Sequence, residues 1–218
     1  MLDYPRILPV GEAAFTVEFG DTVDEALNRQ VHALDATLRA QSVPGLVETV
    51  PTYRSLLVIY DPQMSHADAM RRALTDALDA LATTAALPEG RLVEIPVRYG
   101  GACGPDLLDV VAHCGMTEQA VIDLHAQPVY TVAMLGFAPG FAYLLGLPET
   151  LATPRLATPR LRVPPGSVGI AGAQTGVYAL ETPGGWRIIG QTDFALFNPA
   201  REAPFALQAG DRVRFVPS

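Results

Sequence analysis

The sequence contains no lysine, and all fifteen of its basic residues are arginine. That absence excludes chemistry: a phosphate loop of the Walker type, a Schiff-base lysine, and a lysine carrying biotin or lipoate all need the missing amine. A reaction using any of those groups must draw them from another chain. Cysteine is nearly absent as well. Cys103 and Cys114 are too few for a disulfide framework and are expected to be free thiols. No apolar run approaches the roughly 18 residues a membrane span needs. The N-terminal stretch Met1 to Arg6 has no basic segment leading into an apolar one, so a cytoplasmic protein is expected, with no membrane partner.

What the chain does have is apolar content and acid. At 218 residues and 49% hydrophobic composition it can bury the core of one large domain or two small ones. The net charge of −8 is unevenly spread, with 6 arginines against 13 acids in residues 1–90 and 9 against 10 in residues 91–218. An acidic half of this kind repels a phosphate backbone, so nucleic acid is not an expected partner.

Apolar runs at 6–10 and 13–19 around Gly11-Glu12 read as a hairpin, and Ala26, Leu27, Val31, Leu34 and Leu38 are spaced for an amphipathic helix over 24–40. Strands at 46–50 and 55–60 follow. Ser65-His66-Ala67-Asp68 then opens a second helix lined by Met70, Leu74, Ala77 and Leu81, which completes a ββαββα unit. Residues 83–91 break the periodicity with a proline and a glycine and suit a linker, so the domains are placed at 1–88 and 91–218. The second begins with a strand at 92–98 and helices at about 106–114, closed by Gly115, and from Thr117 to about Ala126. Beyond Pro128, short apolar runs alternate with Gly and Pro every few residues, the pattern of a β-barrel or sandwich with long loops.

Several residues could carry chemistry. A tandem repeat, Ala152-Thr-Pro-Arg-Leu156 and Ala157-Thr-Pro-Arg-Leu161, sets Arg155 and Arg160 five residues apart. Their guanidinium forks could grip a phosphate or carboxylate in bidentate fashion; the alternative is a pair of surface ion pairs worth about 0–1 kcal/mol each. His125, at the end of a predicted helix, is a candidate general base, although a helix C-terminus favours a histidine for capping reasons alone. Asp193 either faces a pocket at a strand mouth or caps a turn. Cys103 lacks a neighbouring histidine and reads as packing. His32, His66 and His113 have no companion at ligand spacing, so no metal site is expected. Phe137, Phe141, Tyr143 and Trp186 are candidates for an apolar partner-binding groove, with burial in the core as the alternative for each.

From Tyr130 to Val216 a series of phrases occurs in one order. It includes Gly136-Phe137-Ala-Pro139-Gly140-Phe141-Ala-Tyr143-Leu144, Val163-Pro164-Pro165-Gly166-Ser167-Val168-Gly169-Ile170-Ala171-Gly172, Gln174-Thr175-Gly176-Val177-Tyr178, Pro183-Gly184-Gly185-Trp186 and Ile189-Gly190-Gln191-Thr192. With Pro96-Val97-Arg98-Tyr99-Gly100-Gly101 upstream, it resembles the family of the 5-oxoprolinase B subunits and the allophanate hydrolase subunit 1-like proteins, which also includes the sporulation-kinase inhibitor of bacilli. The resemblance implies an α+β protein with a small α+β N-terminal domain and a cyclophilin-like β-barrel C-terminal domain. It implies a component of a hetero-oligomer, working with a paralogous barrel-fold C subunit together with a third, hydrolase A subunit. That complex opens 5-oxo-L-proline to L-glutamate with ATP, which it could bind at a subunit interface. Arg155, Arg160, Gln174 and Thr175 become substrate- or phosphate-binding candidates. Gln191 stands where family members often have Arg. Two alternatives come with the family: a component of a urea or allophanate carboxylase-hydrolase system, and an inhibitor of a sensor histidine kinase.

Overall fold

The computed structural model describes residues 3–82 and 90–218, which divide into two compact units at Glu89/Gly90. The expected linker at 83–91 lies, apart from Gly90 and Arg91, outside the described residues.

In the first unit, strands β1 (Arg6–Val10), β2 (Ala14–Glu18), β3 (Leu46–Pro51) and β4 (Ser55–Tyr60) form an antiparallel sheet in the order β1-β2-β4-β3. Helices α1 (Glu25–Gln41) and α2 (Ala67–Ala82) complete the ββαββα order expected from periodicity. Asp24 caps α1, its carboxylate accepting from the Ala26 and Leu27 amides at 2.7 and 3.1 Å. Alternate residues of the central strands, Phe15, Val17, Leu56, Val58 and Tyr60, meet Val31, Leu34 and Leu38 of α1 and Met70, Leu74 and Ala77 of α2 in one buried core. A period of two on the strands and of three to four on the helices is what brings those sets onto facing surfaces.

The second unit is a closed seven-stranded barrel, the α+β architecture the resemblance implied. Its strands are β5 (Leu92–Tyr99), β6 (Tyr130–Leu135), β7 (Ala142–Leu145), β9 (Ser167–Ala171), β10 (Gln174–Val177), β12 (Arg187–Gln191) and β13 (Arg212–Pro217), arranged β10-β7-β6-β13-β5-β12-β9. β8 (Arg160–Val163) and β11 (Thr182–Gly184) pair as a separate two-stranded ribbon. Helices α3 (Leu107–Cys114) and α4 (Glu118–Ala126) follow β5, and Gly115 ends α3 in the left-handed conformation. Thr117 caps α4 by accepting from the Ala120 amide.

Alternation sorts the barrel side chains into two sets. Ile95, Val97, Val132, Leu144, Val168, Ile170, Val177, Val213 and Phe215 belong to the interior core, which Leu107 and Val110 of α3 and Val121 of α4 join. Phe141, Ala171 and Ile188 instead belong to a second cluster with Val163, Tyr178 and Trp186. That second cluster is the frame of the candidate site.

No described helix is long and apolar enough to cross a membrane. Cys103 and Cys114 are free thiols.

Candidate functional site

Glycine makes the second cluster possible. A Cβ on Gly176 of β10 would sit 3.1 Å from the Trp186 ring and 2.7 Å from the Ala142 carbonyl, so only a bare backbone lets the indole lie against the strands. Phe141 is the hub. Its ring meets Trp186 (5.4 Å, 90°), Tyr178 (5.1 Å, 83°) and Tyr143 (4.8 Å, 63°) edge to face, the arrangement the aromatic quadrupole favours. Phe141, Tyr178 and Trp186 are buried, Tyr143 is half-buried, and Phe137 at the rim is 62% exposed. Of the four residues read as a partner-binding groove, Phe141 and Trp186 are therefore interior: edge-to-face packing consumes their surfaces. Tyr178 is the member of the cluster that sequence reasoning missed, because only its place at the end of a longer phrase marks it.

Arg155 lies beside this cluster. It is exposed, makes no hydrogen bond or ion pair among the described residues, and places its charge within reach of two phenols. Burial pushes the Tyr143 and Tyr178 hydroxyls above the ordinary tyrosine range, and the Arg155 guanidinium pulls both the other way. A fork-shaped cation without a protein anion, next to aromatic rings, is equipped to meet an anionic ligand.

Arg160 behaves differently, and the expectation that it binds a ligand is corrected. It starts β8 and donates through Nη2 to Oδ1 of Asp106 at 2.6 Å. Asp106 is buried at the start of α3, and its other oxygen accepts the Ile188 amide at 2.7 Å, while its own amide donates to the Ile188 carbonyl at 2.9 Å. A guanidinium that neutralises a buried carboxylate is a tether between β8, α3 and β12, with its fork already occupied.

The two candidate catalytic groups are separated. His125 is buried inside the barrel, stacked on Phe215 with ring centroids 4.7 Å apart. Its Nε2 is 2.8 Å from Thr175 Oγ1, its Nδ1 is 2.8 Å from the Tyr99 hydroxyl, and its carbonyl accepts from the Tyr130 hydroxyl. The Thr175 hydroxyl donates to the Gly169 carbonyl, so it accepts from Nε2–H, and Nδ1 accepts from Tyr99. Both ring nitrogens are thus satisfied by core residues, and burial holds the imidazole pKa down to about 3. A general base must reach the proton it takes, and this ring does not reach the surface, which corrects its candidacy. Thr175, bonded to His125 and Gly169 in the core, is likewise unable to touch a ligand. Gln174 stays half-buried on the neighbouring position of β10.

Asp193 is exposed and forms a two-pronged ion pair with Arg98, an arginine that sequence reasoning passes over. Hydrogen bonding and charge from Arg98 hold the Asp193 carboxyl below its usual range, so it is ionised and paired rather than poised to accept a proton. Gln191 lies opposite Arg98 in the pairing of β12 with β5, next to this ion pair. Among the described residues no three His, Cys, Asp or Glu side chains come together in a group that could hold a metal ion.

Comparison with known proteins agrees with this architecture. Residues 5–207 match the model of the carboxyltransferase domain, subdomain C and D. The 5-oxoprolinase B subunit of Escherichia coli O157:H7 is 48% identical, over 97% of this chain and 95% of that protein. Its counterpart in Bacillus subtilis (strain 168) is 43% identical over 97% of this chain and 92% of that protein. The crystal structure of TTHA0988 superposes with a TM-score of 0.82 at 41% identity, covering 94% of this chain but only 40% of that longer chain. Domain model, full-length identity and fold coincide, and the chain belongs to the carboxyltransferase subdomain C and D family that includes the 5-oxoprolinase B subunits.

Proposed function

We propose that this chain is the B subunit of an ATP-dependent 5-oxoprolinase, active only with partner subunits, and that Arg155 holds an anionic group of the substrate or of a phosphorylated intermediate. The full-length 48% identity to a protein of that name carries the reading. The chemistry is consistent with it. Resonance makes a lactam carbonyl a poor electrophile; phosphoryl transfer from ATP to its oxygen, with ADP leaving, activates the carbon, water adds there, the C–N bond breaks with nitrogen taking up a proton, and a second water releases phosphate from the resulting acyl phosphate. This chain has no lysine to cradle phosphates, so the partner subunits supply at least part of the ATP site. The division of labour predicts that the purified chain alone releases no glutamate from 5-oxo-L-proline and ATP, and that adding the partners restores release. Turnover by the lone chain at the rate of the complex would refute it.

Arg155 separates this reading from an ordinary surface arginine. Arg155→Lys keeps the charge and loses the fork, so kcat/KM of the reconstituted complex is expected to fall by about tenfold or more. The melting curve is expected to stay where it is, because the side chain has no hydrogen bond to lose among the described residues. Wild-type kinetics in Arg155→Lys and in Arg155→Ala would remove the residue from the site.

A further inference from the structure

We infer that Arg187 is a positioning residue for Arg155, fixing the exposed loop that carries the Arg155 guanidinium towards its anion. The inference rests on the 5-oxoprolinase reading, in which Arg155 meets an anionic group. Arg155 is exposed in a loop without regular structure, and the backbone of such a loop is ordinarily free to sample many positions. Both neighbours of Arg155 are nevertheless held. On one side Pro154 has its φ set by its own ring, and its carbonyl accepts from Arg187 Nε at 3.3 Å. On the other side the Leu156 amide donates to the Gly185 carbonyl at 2.8 Å. One residue further back, Thr153 exchanges two backbone hydrogen bonds with Gly172, at 3.2 and 2.7 Å. The single segment Gly185-Trp186-Arg187 therefore grips the chain immediately before and immediately after Arg155.

The grip is itself anchored. Arg187 begins β12 and pairs with Ile170 of β9, and the next residue, Ile188, exchanges two hydrogen bonds with Asp106. The Arg187 side chain then donates through Nη1 to the Asp109 carboxylate on α3 while its Nε serves Pro154. One guanidinium thus joins β12, α3 and the Arg155 loop. Stability does not call for this arrangement. Pro154 is exposed, so water would serve its carbonyl as well, and the Asp109 side chain is 58% exposed, where an ion pair stabilises little. What the two bonds determine is the place of the loop. A fork that must meet an anion in bidentate fashion gains most from a backbone that is ordered before the ligand arrives. Arg162 on β8 offers the contrast: it pairs with Glu181 at 3.7 Å, and both side chains are exposed.

The test is steady-state kinetics of the reconstituted complex with Arg187→Met, alone and combined with Arg155→Ala. Arg187→Met should lower kcat/KM for 5-oxo-L-proline by about three- to tenfold, and by no more than Arg155→Ala does. The change should fall on whichever of kcat and KM Arg155→Lys moves. In the Arg155→Ala background Arg187→Met should lower kcat/KM no further, because the side chain it positions is gone, whereas a general loss of folding or assembly would take the same factor from both backgrounds. Arg187→Lys keeps a charge for Asp109 but has no planar fork to serve Asp109 and Pro154 together, so it should show part of the defect. It replaces Arg187→Met in the same comparison if the methionine variant does not assemble. Arg162→Met, which removes an arginine held only at the surface, should leave the kinetics unchanged. Wild-type kinetics in Arg187→Met and Arg187→Lys, an equal loss in both backgrounds, or the same loss in Arg162→Met overturns the inference alone. Wild-type kinetics in Arg155→Ala, or a wild-type complex that does not turn over 5-oxo-L-proline, overturns the underlying reading instead.

Discussion

Replacing Arg160 by methionine is expected to destabilise the barrel unit by about 2–3 kcal/mol, a drop of several degrees in melting temperature. The reason lies with its partner. Asp106 is buried and its Oδ1 has Arg160 Nη2 at 2.6 Å, so removing the cation leaves a carboxylate that only the Ile188 amide still serves. Breaking a buried pair from one side costs about 3–5 kcal/mol, and the partial exposure of the Arg160 side chain lowers that figure. Arg160→Lys should recover only part of the loss, because an ammonium on a flexible stem does not reproduce the guanidinium's hydrogen bond to Oδ1. Asp106→Ala should cost as much or more, since the Ile188 amide then loses its acceptor as well. The double variant should be less destabilised than the two single losses combined, by at least about 1 kcal/mol. Trp186, the single tryptophan, lies in this unit, and its emission reports the melt. A change under about 0.5 kcal/mol in Arg160→Met would return Arg160 to the class of surface ion pairs and reopen its candidacy for ligand binding.

The contrast between Arg155 and Arg160 shows where sequence reading ran out. The two arginines occupy identical five-residue repeats, so nothing local distinguishes them. Arg155 falls in a loop, whereas Arg160 begins β8 and lies opposite Asp106, 54 residues earlier. Asp106 itself was legible as the entry to a helix, yet its carboxylate makes no cap bond and turns to Ile188 and Arg160 instead. Secondary structure was legible element by element up to about Ala126, because apolar periodicity and caps such as Asp24, Thr117 and Gly115 are local signals, while beyond Pro128 only the β character of the segment was. A closed barrel was implied by the family resemblance, whereas the order β10-β7-β6-β13-β5-β12-β9, which depends on pairings between distant segments, was not legible. The aromatic residues illustrate the same limit. Tyr143 lies on β7 and Phe141 immediately before that strand, but whether their rings are free or covered depends on Trp186 and Tyr178, which arrive from elsewhere in the chain. The left-handed backbone of Phe137 had no sequence signal at all, since glycine flanks it and does not occupy it.

The stability of the barrel should fall steeply below neutral pH because of His125, and a single substitution should flatten that dependence. Burial lowers the imidazole pKa from 6.5 to about 3 in the folded protein, whereas the unfolded chain titrates near the ordinary value. Between those limits the unfolded state binds a proton that the folded state refuses. Stability is therefore complete above about pH 6.5 and is lost as pH falls towards 3, by about 3 kcal/mol at pH 4. The hydrogen bonds explain why the neutral ring is held so firmly. Thr175 Oγ1 spends its proton on the Gly169 carbonyl and Tyr99 donates to Nδ1, so protonating Nδ1 would set two donors face to face. Tyr99 cannot relieve this by ionising, because burial raises its own pKa. His125→Phe keeps the stacking on Phe215 and removes the titration. At pH 7 that variant should be less stable than wild type by about 1–3 kcal/mol, since the Tyr99 hydroxyl loses its acceptor. Its deficit should shrink as pH falls and should vanish or reverse near pH 4, because the wild type alone is losing the histidine contribution. Groups other than His125 are common to both proteins, so whatever they contribute in acid cancels in the difference. The measurement is denaturant unfolding followed by Trp186 emission from pH 7 to pH 4 for the two proteins side by side. Parallel pH curves, or an imidazole that titrates near 6.5 in the folded protein, would show that His125 is open to solvent and would restore it as a candidate base.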